Sequence, residues 1–517
     1  MKSLFLPQKD WFLVLAGAVL VLLSYPPFHL FVPSFISLVP AVWLIEKGNR
    51  DPTPLRRNLV QGFWFGTATQ GLELYWMVFA LWRFTPLSVL GYAATVSILA
   101  TYTALLFALT GWATRTAKIS ILLTFPVFWT TMRWFVGHQG DISFPWLGLG
   151  TSLTGYPTLV QIADVIGARG ITFLLVLANV ALAMAWHERR VNRSRTVRLV
   201  GSVLAGIGLA AAYGVVRQET IELRPVGKVA VVQPNVGYEE KADKSRHDRI
   251  VQDLIEMSAR VVDRTRPDLV VWPEAAIPYY FDYHPNWEAA IAALVIGNGV
   301  PVVTGGVDVR WRSRSEYEYY NAAFLFDELG GRGTYPVYHK RYLVPIVERV
   351  PWVNPRWFKL EWFGGFGVGK IRPVYHEPLG KFGVIICYES AFEDLSRIYR
   401  RSGADFLINI TNDAWFGKTT APYQHKSHLV MRAIENRVGI VRSANSGISE
   451  FVDPLGREHH ETGLAIRAST ADTVLTSDVV TVYSKLGDWV GQLCALLTVA
   501  LLVYARLQHR GERRLAA

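Results

Sequence analysis

Cysteine is almost absent. The chain of 517 residues holds only Cys387 and Cys494, so no disulfide framework holds it together. Charge is also scarce: 18% of residues are charged against 51% hydrophobic, below the roughly 25% charged share of ordinary globular chains. That balance argues against a wholly water-soluble or disordered chain. The net charge of +11 does not mark a nucleic-acid partner. No recognition motif accompanies it, and the basic residues gather beside apolar runs, where they orient helices and face anionic headgroups. A cleavable leader is not expected either. The first apolar run follows Lys2 and Lys9, but no small-residue cleavage site ends it; Ser24–Tyr25–Pro26–Pro27 reads as a turn, so the run is expected to stay as a span.

What the chain does have is aromatic and apolar. It carries 18 Trp and 26 Phe, residue types that gather at membrane interfaces. A bilayer-crossing helix needs about 20 apolar residues, and seven runs of that kind precede about residue 217: Trp11–Leu23, Leu30–Ile45, Leu59–Leu81, Leu87–Trp112, Ile119–Val136, Leu159–Trp186 and Leu199–Val216. An eighth covers Val490–Tyr504, and Cys494 lies inside it, where a core or lipid-facing role is the default. Lys47, Arg50, Arg56 and Arg57 follow the second run; Arg115 and Lys118 the fourth; Arg189 through Arg198 the sixth; Arg506 through Arg514 the eighth. The alternate loops hold little beyond Arg83 and Arg133. By the positive-inside bias both termini are expected in the cytoplasm. The large segment between the seventh and eighth runs then faces the other side, the periplasm of a bacterial inner membrane. The Pro-, Gly- and Trp-containing stretch Ser143–Gly148 is expected on that side too, as an interfacial segment or a simple loop.

From Leu223 to Ser484 the pattern changes. Lys228–Val236, Asp268–Glu274, Pro301–Val307, Ala322–Asp327, Phe382–Tyr388, Asp405–Thr411 and Ile440–Ala444 read as strands bounded by turn residues. Ile250, Val251, Leu254, Ile255, Val261 and Val262 recur at helical spacing, as do Leu429, Ile434 and Val438. Strands alternating with such helices predict an α/β domain. The expected division is a helical membrane part over 1–220, a catalytic domain over 221–484, and a last helix with a basic tail over 485–517.

Three segments share one form, in which an apolar strand ends and a reactive side chain follows: Val270–Glu274, Tyr338–Lys340 and Gly383–Cys387, the last continuing into Tyr388 and Glu389. Singly each has an ordinary reading. Glu274 after Trp-Pro suits a helix start, Lys340 a solvated surface, and Cys387 the small hydrophobe that most free cysteines are. In this order and context they resemble the Glu–Lys–Cys triad of the nitrilase superfamily, which implies an αββα sandwich with Glu274 as base, Lys340 as oxyanion stabiliser and Cys387 as nucleophile. Spans before and after such a domain resemble the apolipoprotein N-acyltransferase family over nearly the whole chain. Local matches are Phe144–Leu147, Gln161 with Gly167 and Gly170, Tyr320–Asn321, and Val344–Pro345 followed by Glu348. That resemblance implies supporting roles for Glu348, Asn321 and Glu389, a second oxyanion donor at the Tyr388 N–H, and substrate contacts at Trp146, Trp415 and Phe416. Ala242 departs from it, standing where the family often places Trp.

The residue types suit acyl transfer. A thiolate is the strongest nucleophile among side chains near neutral pH, and a fixed cation stabilises the oxyanion that forms. The resemblance implies a phospholipid donor, a thioester on Cys387, and the α-amino group of an S-diacylglyceryl cysteine on an apolipoprotein as acceptor. No cofactor or metal is expected, and the chain is expected to be a monomer. Gly364–Lys370 matches most of a phosphate loop, but Ile371 replaces the magnesium-binding hydroxyl, so it reads as a flexible loop or lid. His425 and His428 share a helix face without a further ligand, and His459–His460 lies in a turn-rich stretch. Two other classes compete: a membrane-anchored amidase or nitrile hydrolase using water, and a transporter with an inactive soluble domain.

Overall fold

The computed structural model describes residues 5–82, 86, 88–146, 148–311, 313, 316–350 and 365–516. Lys2, Arg83, Leu87, Leu147 and Gly364 lie outside the described residues. The chain forms two compact units. One comprises Met1–His138, Pro145–Gln218 and Asp488–Ala517; the other comprises Gln139–Phe144 and Glu219–Gly487.

The first unit is helical. Among the described residues, five helices are long and apolar enough to cross a membrane: Phe31–Asn49, Ser88–Thr116, Ala163–Glu188, Arg193–Thr220 and Trp489–Gly511. Gln8–Ser24 and Ile121–Val136 are shorter, and Pro54–Glu73 packs closely on Ser88–Thr116. That contact depends on glycine: a Cβ at Gly62 or Gly66 would lie 2.8 Å from backbone atoms of Ala104 or Ala100. Buried Asp10, Asp164 and Arg169 each have a partner of opposite charge. Asp10 accepts from Lys47, Arg57 and Gln61, and Arg169 pairs with Asp488.

Among the described residues the second unit holds twelve strands: β1 (Arg224–Gln233), β2 (Leu269–Val271), β3 (Val302–Trp311), β4 (Tyr317–Phe326), β5 (Tyr338–His339), β6 (Tyr375–Glu377), β7 (Gly380–Ile386), β8 (Phe406–Thr411), β9 (Gly439–Ala444), β10 (Glu450–Val452), β11 (Glu458–His459) and β12 (Ala468–Thr476). They form two six-stranded sheets, in the orders β12-β1-β2-β3-β4-β5 and β11-β10-β9-β8-β7-β6. Each sheet has three central parallel strands flanked by antiparallel ones. The sheets pack face to face: the Ser443 hydroxyl of β9 donates to the Val271 carbonyl of β2 at 3.1 Å. Helices His247–Thr265 and Pro285–Asn298 cover the first sheet, and Glu393–Arg401 and Ala421–Asn436 the second. The central strands are therefore buried on both faces; β2 is wholly apolar, and β8 and β9 are mainly apolar with the buried polar residues Asn409, Thr411, Arg442 and Ser443 among them.

Within its turn-rich stretch, His459 belongs to the two-residue β11, opposite Phe451. One expectation changes. Residues 365–370 are fastened rather than free: the Gly367 N–H donates to Tyr319 O and the Gly369 N–H to Lys340 O, each at 2.9 Å. Arg341 grips the Gly369 and Lys370 carbonyls at 3.0 and 2.7 Å.

Candidate active site

Glu274 lies three residues past the end of β2, and Lys340 and Cys387 directly follow β5 and β7. The Trp272 N–H still pairs with Val303 O. Pro273 has no N–H to continue the ladder, and the chain turns away at Ala275, whose φ is +49°. β3 admits this turn through Gly305, where a Cβ would lie 2.6 Å from the Pro273 carbonyl oxygen and 2.7 Å from Glu274 Cα.

Four polar side chains converge. Lys340 Nζ donates to Glu348 Oε1 at 2.9 Å and to Glu274 Oε1 at 3.4 Å. Asn321 Nδ2 donates to the same two oxygens, at 2.9 Å and 2.7 Å respectively. The outer oxygens take backbone donors: Asn412 N–H to Glu274 Oε2 and Val344 N–H to Glu348 Oε2, both at 2.8 Å. Lys340 is 1% exposed and Glu274 6%, so the ions interact where little water screens them. Burial works against the ammonium, but the charges of Glu348 and Glu274 prevail and hold its pKa well above that of ordinary lysine.

Cys387 is half-buried and sits at φ +52°. For a residue other than glycine this backbone costs roughly 1–3 kcal/mol and persists only where the surroundings enforce it. Burial first, then the charge of Glu274, pushes the thiol up; Lys340 acts in the opposite direction, as does a hydrogen bond with the Thr411 side chain. The resting sulfur is therefore a thiol that needs a base. Glu389 ties the Lys340 segment to the Cys387 turn. Its carboxylate accepts from the N–H groups of Ile386 at 2.7 Å, Arg341 at 2.7 Å and Tyr342 at 3.2 Å, and from the Tyr338 hydroxyl at 2.8 Å. Burial raises Glu389 to about 7, against the pull of those amides. Tyr388 is buried in the same turn, and its hydroxyl donates to Ser143 O at 3.0 Å.

The aromatic residues singled out separate. Trp415 is exposed, its ring 5.8 Å from Tyr238, and Phe416 lies 6.1 Å from the His425 ring. Trp146 belongs to the helical unit, buried against Trp76 with ring centroids 5.3 Å apart.

Sequence reasoning missed Lys241. Its ammonium donates to the Ala275 carbonyl at 2.7 Å, bracing the turn that carries Glu274, and burial lowers it to about 8 although Glu274 opposes this. No strand end or spacing marks Lys241 in the sequence. Asp413 was missed as well. It accepts from Arg442 at 2.7 Å and contacts His425 Nδ1 at 2.9 Å. Burial opposes its charge, but Arg442 and His425 hold Asp413 down at about 2. Among the described residues, the one group of three or more side chains close enough to hold a metal ion together is Glu450, Glu458 and Glu461. Lys426 already occupies that cluster, 2.9 Å from Glu450 and 3.3 Å from Glu461.

A buried carboxylate, ammonium and half-buried thiol at the strand ends of a two-sheet α/β unit define a nitrilase-like carbon–nitrogen hydrolase fold, and the carbon-nitrogen hydrolase family matches residues 228–470. The apolipoprotein N-acyltransferase N-terminal domain matches residues 17–181. An apolipoprotein N-acyltransferase from Geobacter metallireducens is 32% identical over 97% of this chain and 96% of its own. One from Brucella melitensis is 32% identical over 95% of each. A solved amidase from Nesterenkonia sp. is 16% identical, covering 52% of this chain and 95% of its own, with a TM-score of 0.37. The chain belongs to the apolipoprotein N-acyltransferase family.

Proposed function

We propose that the chain moves a fatty acyl group from a phospholipid, through a thioester on Cys387, to the α-amino group of the S-diacylglyceryl cysteine that begins an apolipoprotein. The observation that carries this reading is the convergence of Glu274, Lys340, Glu348 and Asn321 within 3.4 Å of their partners, with a strained cysteine whose thiol feels both Glu274 and Lys340.

Glu274 takes the Sγ proton as sulfur attacks the donor's ester carbonyl. Lys340, with the Tyr388 N–H, faces the oxyanion. Collapse of that intermediate breaks the C–O bond, and the proton on Glu274 leaves with the lysophospholipid. The acceptor amine then attacks the thioester carbonyl. Glu274 takes its proton and returns it to the departing sulfur, restoring the thiol. A model α-amino group has a pKa near about 7.7–8.0, so the acceptor needs only modest help. Glu348 and Asn321 hold Glu274 and Lys340 in place, Glu389 holds the two loops together, and Trp146, Trp415 and Phe416 contact substrate.

The same reading places eight spans in a bacterial inner membrane, a catalytic domain over 221–484 between the seventh and eighth, that domain in the periplasm, and both termini in the cytoplasm. It takes the enzyme as a monomer. The apolar helices and the clustered Lys and Arg between them support this arrangement.

The test is intact mass of the purified protein after incubation with phospholipid alone. The expected result is an acyl adduct that hydroxylamine removes and Cys387→Ala abolishes. A reactive Cys387 that forms no adduct would point to a non-lipid donor, and an inert Cys387 would remove the enzyme reading.

A further inference from the structure

Of the 28 residues in helix Arg193–Thr220, only Gly214 is buried. The helix is nonetheless pinned at both ends to the rest of the helical unit. Near its start, the Thr196 hydroxyl donates to Ala185 O at 3.3 Å. Near its end, a Cβ on Gly214 would lie 1.8 Å from Thr158 O, and Tyr213 and Arg217 donate to Asp164 at 2.8 and 2.9 Å. Between the pins it stands away from Ala163–Glu188. A cavity of about 400 Å³ fills the gap, with Leu199, Val203 and Ile207 on one wall and Leu174, Ala178 and Ala181 on the other. A Cβ on Gly206, which also lines it, would meet nothing within 4 Å.

The lining is hydrocarbon. Ser202 carries its one side-chain hydroxyl, and that hydroxyl donates back to Leu199 O at 2.8 Å. No lining side chain is left to orient a headgroup or an ordered water, and an apolar cavity does not fill with water. Its size falls within the roughly 300–1,000 Å³ of small-molecule sites. From Leu199 to Ala210 the cleft follows its helix for about 16 Å, at 1.5 Å per residue. That matches one leaflet's depth, half of a hydrocarbon core of about 30 Å. Both helices are long and apolar enough to cross a membrane, so bilayer hydrocarbon is what surrounds the opening.

We infer that this cleft is a binding site for one acyl tail of a bilayer phospholipid, which completes the packing of helix Arg193–Thr220. None of the residues around Cys387 lines it. The inference rests on the membrane placement of these helices and not on the thioester chemistry.

The test uses the full-length protein in phosphatidylethanolamine/phosphatidylglycerol vesicles doped with a phospholipid bearing a diazirine midway along one acyl chain. After photolysis, label is expected to concentrate in residues 174–181 and 199–210. It should stay there in Cys387→Ala, which separates the site from the acyl-enzyme. The double variant Ser202→Leu/Gly206→Leu fills the cleft with side chains that favour a helix, and should cut this labelling by about tenfold, equivalent to about 1.4 kcal/mol of binding. Even labelling of all lipid-facing helices would overturn the inference, as would unchanged labelling in a double variant that keeps the wild-type melting temperature. If the double variant melts earlier, the single Gly206→Leu decides by the same comparison.

Discussion

Lys340 is one cation between two carboxylates, so its removal leaves more than a missing oxyanion donor. Lys340→Met should lower the rate of Cys387 acylation by about 100- to 1,000-fold. It should also destabilise the protein by roughly 3–5 kcal/mol, because Glu274 and Glu348 would remain buried and unpaired. Adding Glu348→Gln should return much of that stability and none of the activity; thermal unfolding and single-turnover acylation read the two effects separately. Glu389 carries part of the pH dependence, beside Glu377 and Glu450, which burial also raises. The folded value of Glu389, about 7, lies above the ordinary 4.5, so the folded chain binds a proton that the unfolded chain has lost between those pH values. The stability this contributes is full below 4.5 and is lost as pH rises through 7, roughly 3 kcal/mol in all. Melting curves at pH 5 and pH 8 should show a larger decline in the wild type than in Glu389→Gln, which keeps the share due to Glu377 and Glu450. Lys241 acts on Glu274 through Ala275. Lys241→Met should slow acylation by about tenfold, a loss of about 1.4 kcal/mol, and Lys241→Arg should recover part of it. Below about 8 Lys241 is charged, so the wild-type rate should fall as pH rises through that value, and Lys241→Met should lack this inflection.

At the scale of elements, legibility followed burial. Strands enclosed on both faces, such as β8 and β9, are rich in apolar and β-branched residues between turn signals, and their ends were legible to within a residue. The residues after β2, β5 and β7 were legible because a reactive side chain interrupts such a stretch. β12 was not anticipated, since it pairs antiparallel with β1 from far along the chain and is only half-buried; nothing local encodes that pairing. Helix Pro285–Asn298 was missed because its buried positions, Trp287, Ile291 and Val295, sit among further apolar residues that blur the helical period. Lys241 and Asp413 were invisible for a related reason: their partners are brought close only by the closed sandwich. Gly305 shows how finely an element sets the site. Gly305→Ala forces the Pro273–Glu274 backbone away from β3. Overpacking of this kind costs roughly 1–3 kcal/mol, while a base displaced by about 1 Å can cost 100-fold in rate. Acylation should therefore fall by far more than the melting temperature suggests. Equal losses would mean that the turn at Ala275 does not aim Glu274.

For the whole molecule the decisive question is which nucleophile reaches the thioester. The same carboxylate, ammonium and thiol would serve a hydrolase, so the group at Cys387 does not by itself choose between water and an amine. The surroundings do. Lys340, Glu274 and Glu389 are buried, their polar atoms are satisfied by one another and by backbone amides, and the chain carries helices long and apolar enough to cross a membrane. A site that excludes water keeps a reactive ester from draining away before its partner arrives. The acyl-enzyme formed in vesicles without acceptor should therefore decay slowly, and adding a synthetic S-diacylglyceryl cysteine peptide should speed its loss by at least about tenfold, a barrier change of about 1.4 kcal/mol. The label should appear as an amide on the peptide. The N-acetylated peptide, which has no free amine, should leave the decay unchanged. If it speeds decay equally, or if the label is released as free fatty acid at the same rate with and without acceptor, the thioester is open to water and the chain works as a lipid hydrolase.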